Sequence, residues 1–303
     1  MQNILVRADA SSQIGLGHIM RDLVLSKQFP HAKITFATQN LEGNINYKIL
    51  EAGHALILLN SNKKSELLKV VQELNPDLLI IDHYSIDYDY ESYIKSNSNV
   101  KILSLDDTYE KHNCDILLNH NIGADEKKYK NLVPKNCELR CGTNYTLLRD
   151  EFYEAKAKLK KQTKRKTFFI AMGGVDEKNL SKKILEVLKE FKKIKVHLVT
   201  TSSNKHLKSL KQYVKNKKWI HLHLDSKTIA KLMRKSDFAI VTPSVILNEV
   251  YFMQLPFIAI KSASNQDDIY KYLKRKKFLA LKKFDAKRLK KVLNACTKEK
   301  NVF

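Results

Sequence analysis

The stretch 3-NILVRADASSQIGLGHIMRDLVLSKQF-29 decides how the rest of the chain reads. It opens on an apolar run, NILVRA, crosses a polar segment holding Gly15 and Gly17, and turns amphipathic from His18 onward. An apolar run, a glycine turn and a helical period in that order begin a βαβ unit of a parallel sheet. Ile19, Met20, Leu23 and Val24 are spaced to form one buried helix face. The glycines permit a tight turn and close backbone approach after the strand. A helix beginning near His18 aims free backbone N–H groups and a positive dipole end beyond the strand tip. That end disfavours a protonated imidazole, and a neutral ring can take a proton as a general base. Spacing alone leaves two readings open: a base, or a ring that only packs against the turn. The glycines do not complete GxGxxG, so a redox dinucleotide cofactor is not indicated.

Outward from this unit the same alternation continues. KITFAT, ALILLN, DLLIIDH, VKILSLD and DILLNH read as further strands of the first half, with helical patterns such as KSELLKVVQEL between them. A charged stretch poor in core residues, EAKAKLKKQTKRK at 154–166, reads as an interdomain segment, with a basic nucleic-acid arm as the competing reading. The alternation then restarts with TFFIAMGG, KVHLVTTS, WIHLHLD, DFAIVT, PFIAI and FLAL, separated by patterns such as SKKILEVLKEF, TIAKLMRKS and VILNEVYFMQ. The chain of 303 residues is therefore expected to be α/β, with two Rossmann-like doubly wound domains, 1–155 and 156–303, facing a cleft.

Composition narrows the function. Hydrophobic residues make up 43%, enough for packed cores, and the formal net charge is +23. Lys far outnumbers Arg and is scattered over helix faces, which suits a solvated surface better than a nucleic-acid stripe. A positive field still favours a polyanionic small substrate such as a nucleotide diphosphate. Cys114, Cys137, Cys141 and Cys296 form no CxxC pair and have no His partner at zinc spacing, so no metal site is expected. Cys137 and Cys141 flank ELR and could meet in a sheet or turn, but buried thiols in a reducing compartment fit better. No signal peptide and no span of about 20 apolar residues is visible, so a soluble cytoplasmic protein without membrane insertion, acting as a monomer, is expected.

Four further motifs carry polar chemistry. In AMGGVDEKN, Gly173 and Gly174 end a strand and offer an anion-friendly backbone corner. In VTPSVILNEVYF, Ser244 suits a helix cap, and Asn248 and Glu249 lie one turn further in. A carboxylate there could chelate vicinal ribose hydroxyls, or merely complement the helix dipole. SNQDD offers Asn265 and Gln266 to a sugar or phosphate, or as a cap. IIDHYSID places Asp82, His83 and Tyr84 at a strand end, where polar groups face a crevice or tie a local network.

RADASSQIGLGHIMRDLVLSKQ and LLIIDHYSID closely resemble the UDP-2,4-diacetamido-2,4,6-trideoxy-β-L-altropyranose hydrolases of pseudaminic acid biosynthesis. ILSLDD, HNCDILLN, LVPKNCELRCGTNYTLLRDEFYE and FFIAMGG continue the match. The glycine pair and the NE motif are shared more widely, with nucleotide-sugar glycosyltransferases of the B-type fold. The resemblance implies a metal-independent, inverting hydrolase that needs no cofactor and takes a UDP-sugar, in which water attacks the anomeric carbon and UDP leaves. It puts His18 on the catalytic base and Tyr84 on an active-site tyrosine that helps place the sugar or the water. It makes Gly17, Arg21, Gly173, Gly174, Leu224, Ser244, Asn248, Glu249 and Gln266 substrate-binding. Among these, Leu224 would offer backbone groups to uracil, Glu249 would hold the ribose, Ser244 and Asn248 would line the diphosphate, and Gln266 would reach the sugar or β-phosphate. TPSVILNEV departs from the small-residue run the fold implies there, and Val175 stands where a hydroxyl is expected. A glycosyltransferase of the same fold would need an acceptor. A basic binding module would bind nucleic acid with steep salt dependence and without regard to His18.

Overall fold

The computed structural model describes residues 1–158 and 166–298. Most of the expected interdomain segment, the tail and the Cys296 side chain lie outside the described residues. The chain forms two compact units, Met1–Leu148 and Arg149–Phe303.

In the first unit the elements run β1 (Asn3–Ala8), α1 (Gly17–Ser26), β2 (Lys33–Gln39), α2 (Tyr47–Glu51), β3 (Ala55–Leu59), α3 (Lys64–Leu74) and β4 (Leu78–Asp82). They continue through α4 (Tyr88–Ser96), β5 (Lys101–Leu105), β6 (Ile116–Asn119) and β7 (Glu138–Cys141). The strands form one parallel sheet in the order β3-β2-β1-β4-β5-β6-β7. Alternation along each strand serves two cores. Leu5, Ala37, Leu79 and Ile81 pack on one face with Leu67 and Val71 of α3 and Ile94 of α4. Ile4, Val6, Phe36, Leu78 and Ile80 pack on the other with Ile19 and Leu25 of α1. Each fully buried aliphatic side chain contributes about 1.5–3 kcal/mol by leaving water. α3 stops at Asn75, whose left-handed backbone (φ 42°) caps it.

α1 buries more than its expected face. His18, Ile19, Asp22, Leu25 and Ser26 are buried, while Met20, Leu23 and Val24 are only partly covered. The helix turns a polar edge inward because strand-tip residues are there to receive it.

α5 (Asp150–Ala157) opens the second unit. It packs on α8 (Ile229–Arg234), and the Tyr153 ring meets Phe252 at 4.9 Å, so a domain boundary at 155/156 would cut this helix. The remaining elements are β8 (Lys166–Ala171), α6 (Leu180–Leu188), β9 (Ile194–Thr200), α7 (Leu207–Val214), β10 (Ile220–Leu224), β11 (Phe238–Val241), α9 (Val245–Phe252), β12 (Phe257–Ile260), α10 (Asp267–Arg275), β13 (Ala280–Leu281) and α11 (Ala286–Lys298). This sheet is also parallel, in the order β10-β9-β8-β11-β12-β13.

Strand order reverses between β1 and β4 in the first sheet and between β8 and β11 in the second. Crevices at the carboxyl ends of such strand pairs are where doubly wound sheets bind ligands. Every motif singled out in the sequence, apart from SNQDD and Leu224, follows one of these four strands.

Candidate active site

At the first reversal, β1 and β4 lie side by side with Ala8 opposite Asp82. Past β1 the chain closes a tight loop, Ser11 and Gly15 bonding each other's backbone, with Gly15 at φ +91°. Only glycine adopts that conformation without strain. α1 then starts at Gly17, which puts His18 in its first turn. A Cβ on Gly17 would meet nothing within 4 Å, so no packing demands a glycine there.

His18 is buried, and its Nδ1 lies 2.6 Å from Oδ1 of Asp82. Arg21, one turn on, clamps the same carboxylate through Nε to Oδ2 and Nη2 to Oδ1, both 2.5 Å. Burial would raise the Asp82 carboxyl, but the charge and hydrogen bonds of Arg21, with those of His18, hold it well below the usual carboxylate range. Arg21 in turn is held fully cationic: burial works against its charge, and Asp82 outweighs burial. The helix end is therefore not the only field on His18, because an anion of opposite sign touches its Nδ1. Asp82 can only accept, so Nδ1 carries a hydrogen, and in the neutral ring the lone pair is then on Nε2.

The neighbouring carboxyl behaves oppositely. Asp22 is buried on the same helix, its two oxygens without a hydrogen-bond partner among the described residues. Burial, then the Asp82 charge, push its carboxyl well above the usual range, against the opposing charge of Arg21. Carboxyls pushed apart in this way mark acid–base sites. His120, just past β6, is buried with both ring nitrogens unpartnered, and burial drives it down to about 3.

Tyr84 follows β4 and is 63% exposed. Its ring stands edge-on to His18, centroids 4.9 Å apart at 88°, and its hydroxyl donates to Asp107 Oδ1 at 3.1 Å. Asp107 also faces Nη1 of Arg21 at 3.4 Å. His83 is instead tied to a second buried network. Its Nε2 lies 3.1 Å from Asp9 Oδ2, and Asp9 is gripped bidentately by Arg7 at 2.8 Å through each nitrogen. Asp107, Asp22, His120 and the Arg7–Asp9 pair were not among the residues expected from sequence.

At the second reversal, Gly173 follows β8 at φ +84°. A Cβ on Gly174 would come within 3.1 Å of Thr201 Oγ1, so close packing holds this glycine. Ser244 precedes α9, but its hydroxyl meets Thr242 Oγ1 at 2.9 Å and no helix amide, so it is not the side-chain cap expected. Asn248 is buried in α9. Glu249 faces Arg149 at 3.3 Å, and burial, only partly offset by Arg149, pushes its carboxyl up to about 7. Leu224 ends the edge strand β10 and is exposed. Gln266 is committed to its own loop, its Oε1 accepting from the Ser262 amide at 2.8 Å and the Ala263 amide at 3.4 Å. These contacts are the capping use expected of it.

Among the described residues no group of three or more His, Cys, Asp or Glu is arranged to hold a metal ion, and no helix is long and apolar enough to cross a membrane. The Cys114 and Cys137 sulfurs lie 3.7 Å apart as free thiols, Cys114 buried and Cys137 partly so.

No protein-family profile matches the chain. The UDP-2,4-diacetamido-2,4,6-trideoxy-β-L-altropyranose hydrolase of Campylobacter jejuni subsp. jejuni serotype O:2 is 44% identical over 275 residues, covering 90% of this chain and 96% of that protein. The chain belongs to that hydrolase's family. A more distant relative is the spore coat polysaccharide biosynthesis protein SpsG of Bacillus subtilis, 22% identical over 86% of this chain and 77% of its own length. Among solved structures, the spinosyn rhamnosyltransferase SpnG superposes with a TM-score of 0.69 (9% identity, 99% of this chain and 92% of that one). MurG of Acinetobacter baumannii superposes with 0.66 (10% identity, 98% and 91%). These likenesses make the fold of this hydrolase-family chain the glycosyltransferase B type, two Rossmann-like α/β domains.

Proposed function

We propose that this chain hydrolyses UDP-2,4-diacetamido-2,4,6-trideoxy-β-L-altropyranose to the free sugar and UDP, a step of pseudaminic acid biosynthesis, with His18 as the base that activates water. The observation that carries the reading is the Asp82-bound His18 at the first strand reversal, in a chain 44% identical to a hydrolase named for that reaction. With Nδ1 committed to Asp82, Nε2 is the nitrogen that takes a proton from water. As the water oxygen bonds to the anomeric carbon, the bond from that carbon to the diphosphate oxygen breaks. The electron pair leaves with UDP, and attack from the opposite face inverts the centre. The imidazolium that forms is stabilised by the Asp82 carboxylate.

UDP is a good leaving group and needs its charge stabilised more than it needs a proton. The backbone corner at Gly173 and Gly174 and the N-terminal end of α9 at Ser244 and Asn248 supply donors of that kind. Glu249 accepts from the ribose hydroxyls, and the Leu224 backbone meets uracil. On the first unit Gly17 leaves room for a phosphate, Arg21 acts through Asp82, and Tyr84 places the sugar or the water. Gln266 serves by shaping the loop after β12. The reading needs no metal ion and no cofactor, and it has the enzyme acting in the cytoplasm.

The test is incubation with a panel of UDP-diacetamido sugars in excess chelator, followed by phosphorus and proton NMR. UDP release without any acceptor and an inverted anomer are expected. Release that requires an acceptor, or that the chelator abolishes, would refute it.

A further inference from the structure

Asp107 sits in the loop after β5 and has two partners. Its Oδ1 accepts the Tyr84 hydroxyl at 3.1 Å, with Oδ2 at 3.4 Å from the same hydroxyl, and Oδ2 faces Arg21 Nη1 at 3.4 Å. These contacts close a ring of five residues. His18 bonds Asp82, Asp82 bonds Arg21, Arg21 faces Asp107, Asp107 takes the Tyr84 hydroxyl, and the Tyr84 ring returns edge-on to His18. Tyr84 is exposed and is not held by a packed core, so its position against His18 depends on this hydroxyl tether.

We propose that Asp107 is a positioning residue that fixes the direction of the Tyr84 hydrogen bond as well as its place. A carboxylate can only accept. The Tyr84 hydrogen is therefore spent on Asp107, and the phenol oxygen meets the reacting partners as an acceptor only. Whatever Tyr84 orients beside His18 must present an O–H or N–H donor. This rests on the assignment of Tyr84 to the site made above. It adds a residue and a polarity to that assignment.

Two variants separate tether from direction. Asp107→Ala removes both. Asp107→Asn keeps the shape, but its amide oxygen turns to the Arg21 cation. Its NH2 then points at the Tyr84 oxygen and reverses the hydrogen bond. A hydrogen bond to a charged group is worth about 1.5–3 kcal/mol, so kcat falls about ten- to a hundredfold in both variants, and KM changes less. In a Tyr84→Phe background the same substitutions change kcat by less than about twofold, because the two residues act as one unit. Independently of turnover, carbon NMR of ζ-labelled tyrosine reads the phenol directly. The Tyr84 line, assigned by its loss in Tyr84→Phe, shifts in Asp107→Asn and ionises at lower pH than in the wild type. Circular dichroism checks that each variant folds.

Wild-type kcat in Asp107→Asn, full additivity with Tyr84→Phe, or an unmoved Tyr84 line overturns the proposal. An inactive wild type with the shifted line would instead sink the assigned reaction while keeping the Asp107–Tyr84 coupling.

Discussion

Replacing Asp82 by Asn tests the centre of the site with one atom changed. Asp82 is fully buried and takes three short bonds, from His18 Nδ1 and Arg21 Nη2 on Oδ1 and from Arg21 Nε on Oδ2. An amide cannot repeat that pattern. If its oxygen keeps His18 and Nη2, its NH2 faces the Nε–H of Arg21, donor against donor. If it flips, its NH2 faces Nδ1 and drives the imidazole hydrogen onto Nε2, which removes the lone pair that would accept from water. Either way a buried guanidinium loses its counter-charge. Breaking a buried pair costs about 3–5 kcal/mol. Arg21 keeps Asp107 at 3.4 Å, so the lower end, about 3 kcal/mol, applies. That is within the roughly 5–15 kcal/mol by which domains are stable, and the variant folds at reduced temperature. Rate suffers more, because wrong tautomer and lost imidazolium stabilisation together reach about 10²–10⁴-fold in kcat. UDP affinity, measured by calorimetry, stays within about twofold of wild type. Continuous assay of UDP release at 15–20 °C, about the range of maximal domain stability, gives kcat. A kcat within threefold of wild type alongside the expected loss of stability would show that Asp82 only holds the fold together, and the assignment of His18 as an oriented base would fall with it.

Other expectations follow from the same geometry. His18→Ala lowers kcat about 10²–10⁴-fold and leaves UDP affinity unchanged; equal losses in kinetics and calorimetry would assign the ring a structural role. Gly17→Ala is neutral or slightly stabilising in thermal melts, since its Cβ meets nothing, yet it raises KM if a phosphate approaches there. Gly15→Ala loses about 1 kcal/mol from its φ of +91°; matched melts of the two would refute the distinction. Glu249 is raised in the fold from 4.5 to about 7, so the folded state binds the extra proton between those values. It is destabilised as pH rises through that window, by up to about 3 kcal/mol, and levels off above it. Glu249→Gln removes this part of the slope, read as the difference between wild-type and variant denaturant midpoints at pH 4.5–8.

Which parts of this were legible in the sequence follows from which forces set them. NILVRA and KSELLKVVQEL match β1 and α3 end to end, because period and burial coincide there. β7 is not legible in the sequence because ELRC, on a sheet edge, has one aliphatic residue and no alternation. His18, Asp82 and Tyr84 stood out by type and place, at the ends of strands either side of a reversal. Asp107 did not, since two aspartates after a strand look the same whether they cap a turn or receive a hydroxyl 23 positions earlier. The polar inward edge of α1 is hidden for a related reason. Ile19, Met20, Leu23 and Val24 do pack on the core, the last three only partly covered, and it takes the position of Asp82 to show that His18 and Arg21 are received on the polar edge beside them. Ser244 and Gln266 show the limit from the other side. Each had a hydroxyl or amide in a suitable place, and each spends it on a local partner, Thr242 or Ser262.

The two polar clusters of the first unit also explain why one is a candidate centre and the other scaffold. Arg7 and Asp9 are wholly buried, and the partners of Asp9 extend to the Gln39 amide and His83. Both Asp9 oxygens are satisfied, with Arg7 Nε the one unpartnered side-chain atom of the pair among the described residues, burial is outweighed, and Asp9 is held well below the ordinary carboxylate range. Such a network is a fixed brace between β1 and β2. The Asp82 cluster has the same core of arginine and carboxylate but is surrounded by unsatisfied groups, Asp22 and His120, which cost about 1–3 kcal/mol each for every orphaned polar contact. A fold selected for stability alone would place leucines at those two positions. Asp22 and His120 instead bring unpaired polarity up to the carboxylate that holds His18, a local cost of the kind that functional sites carry and braces do not.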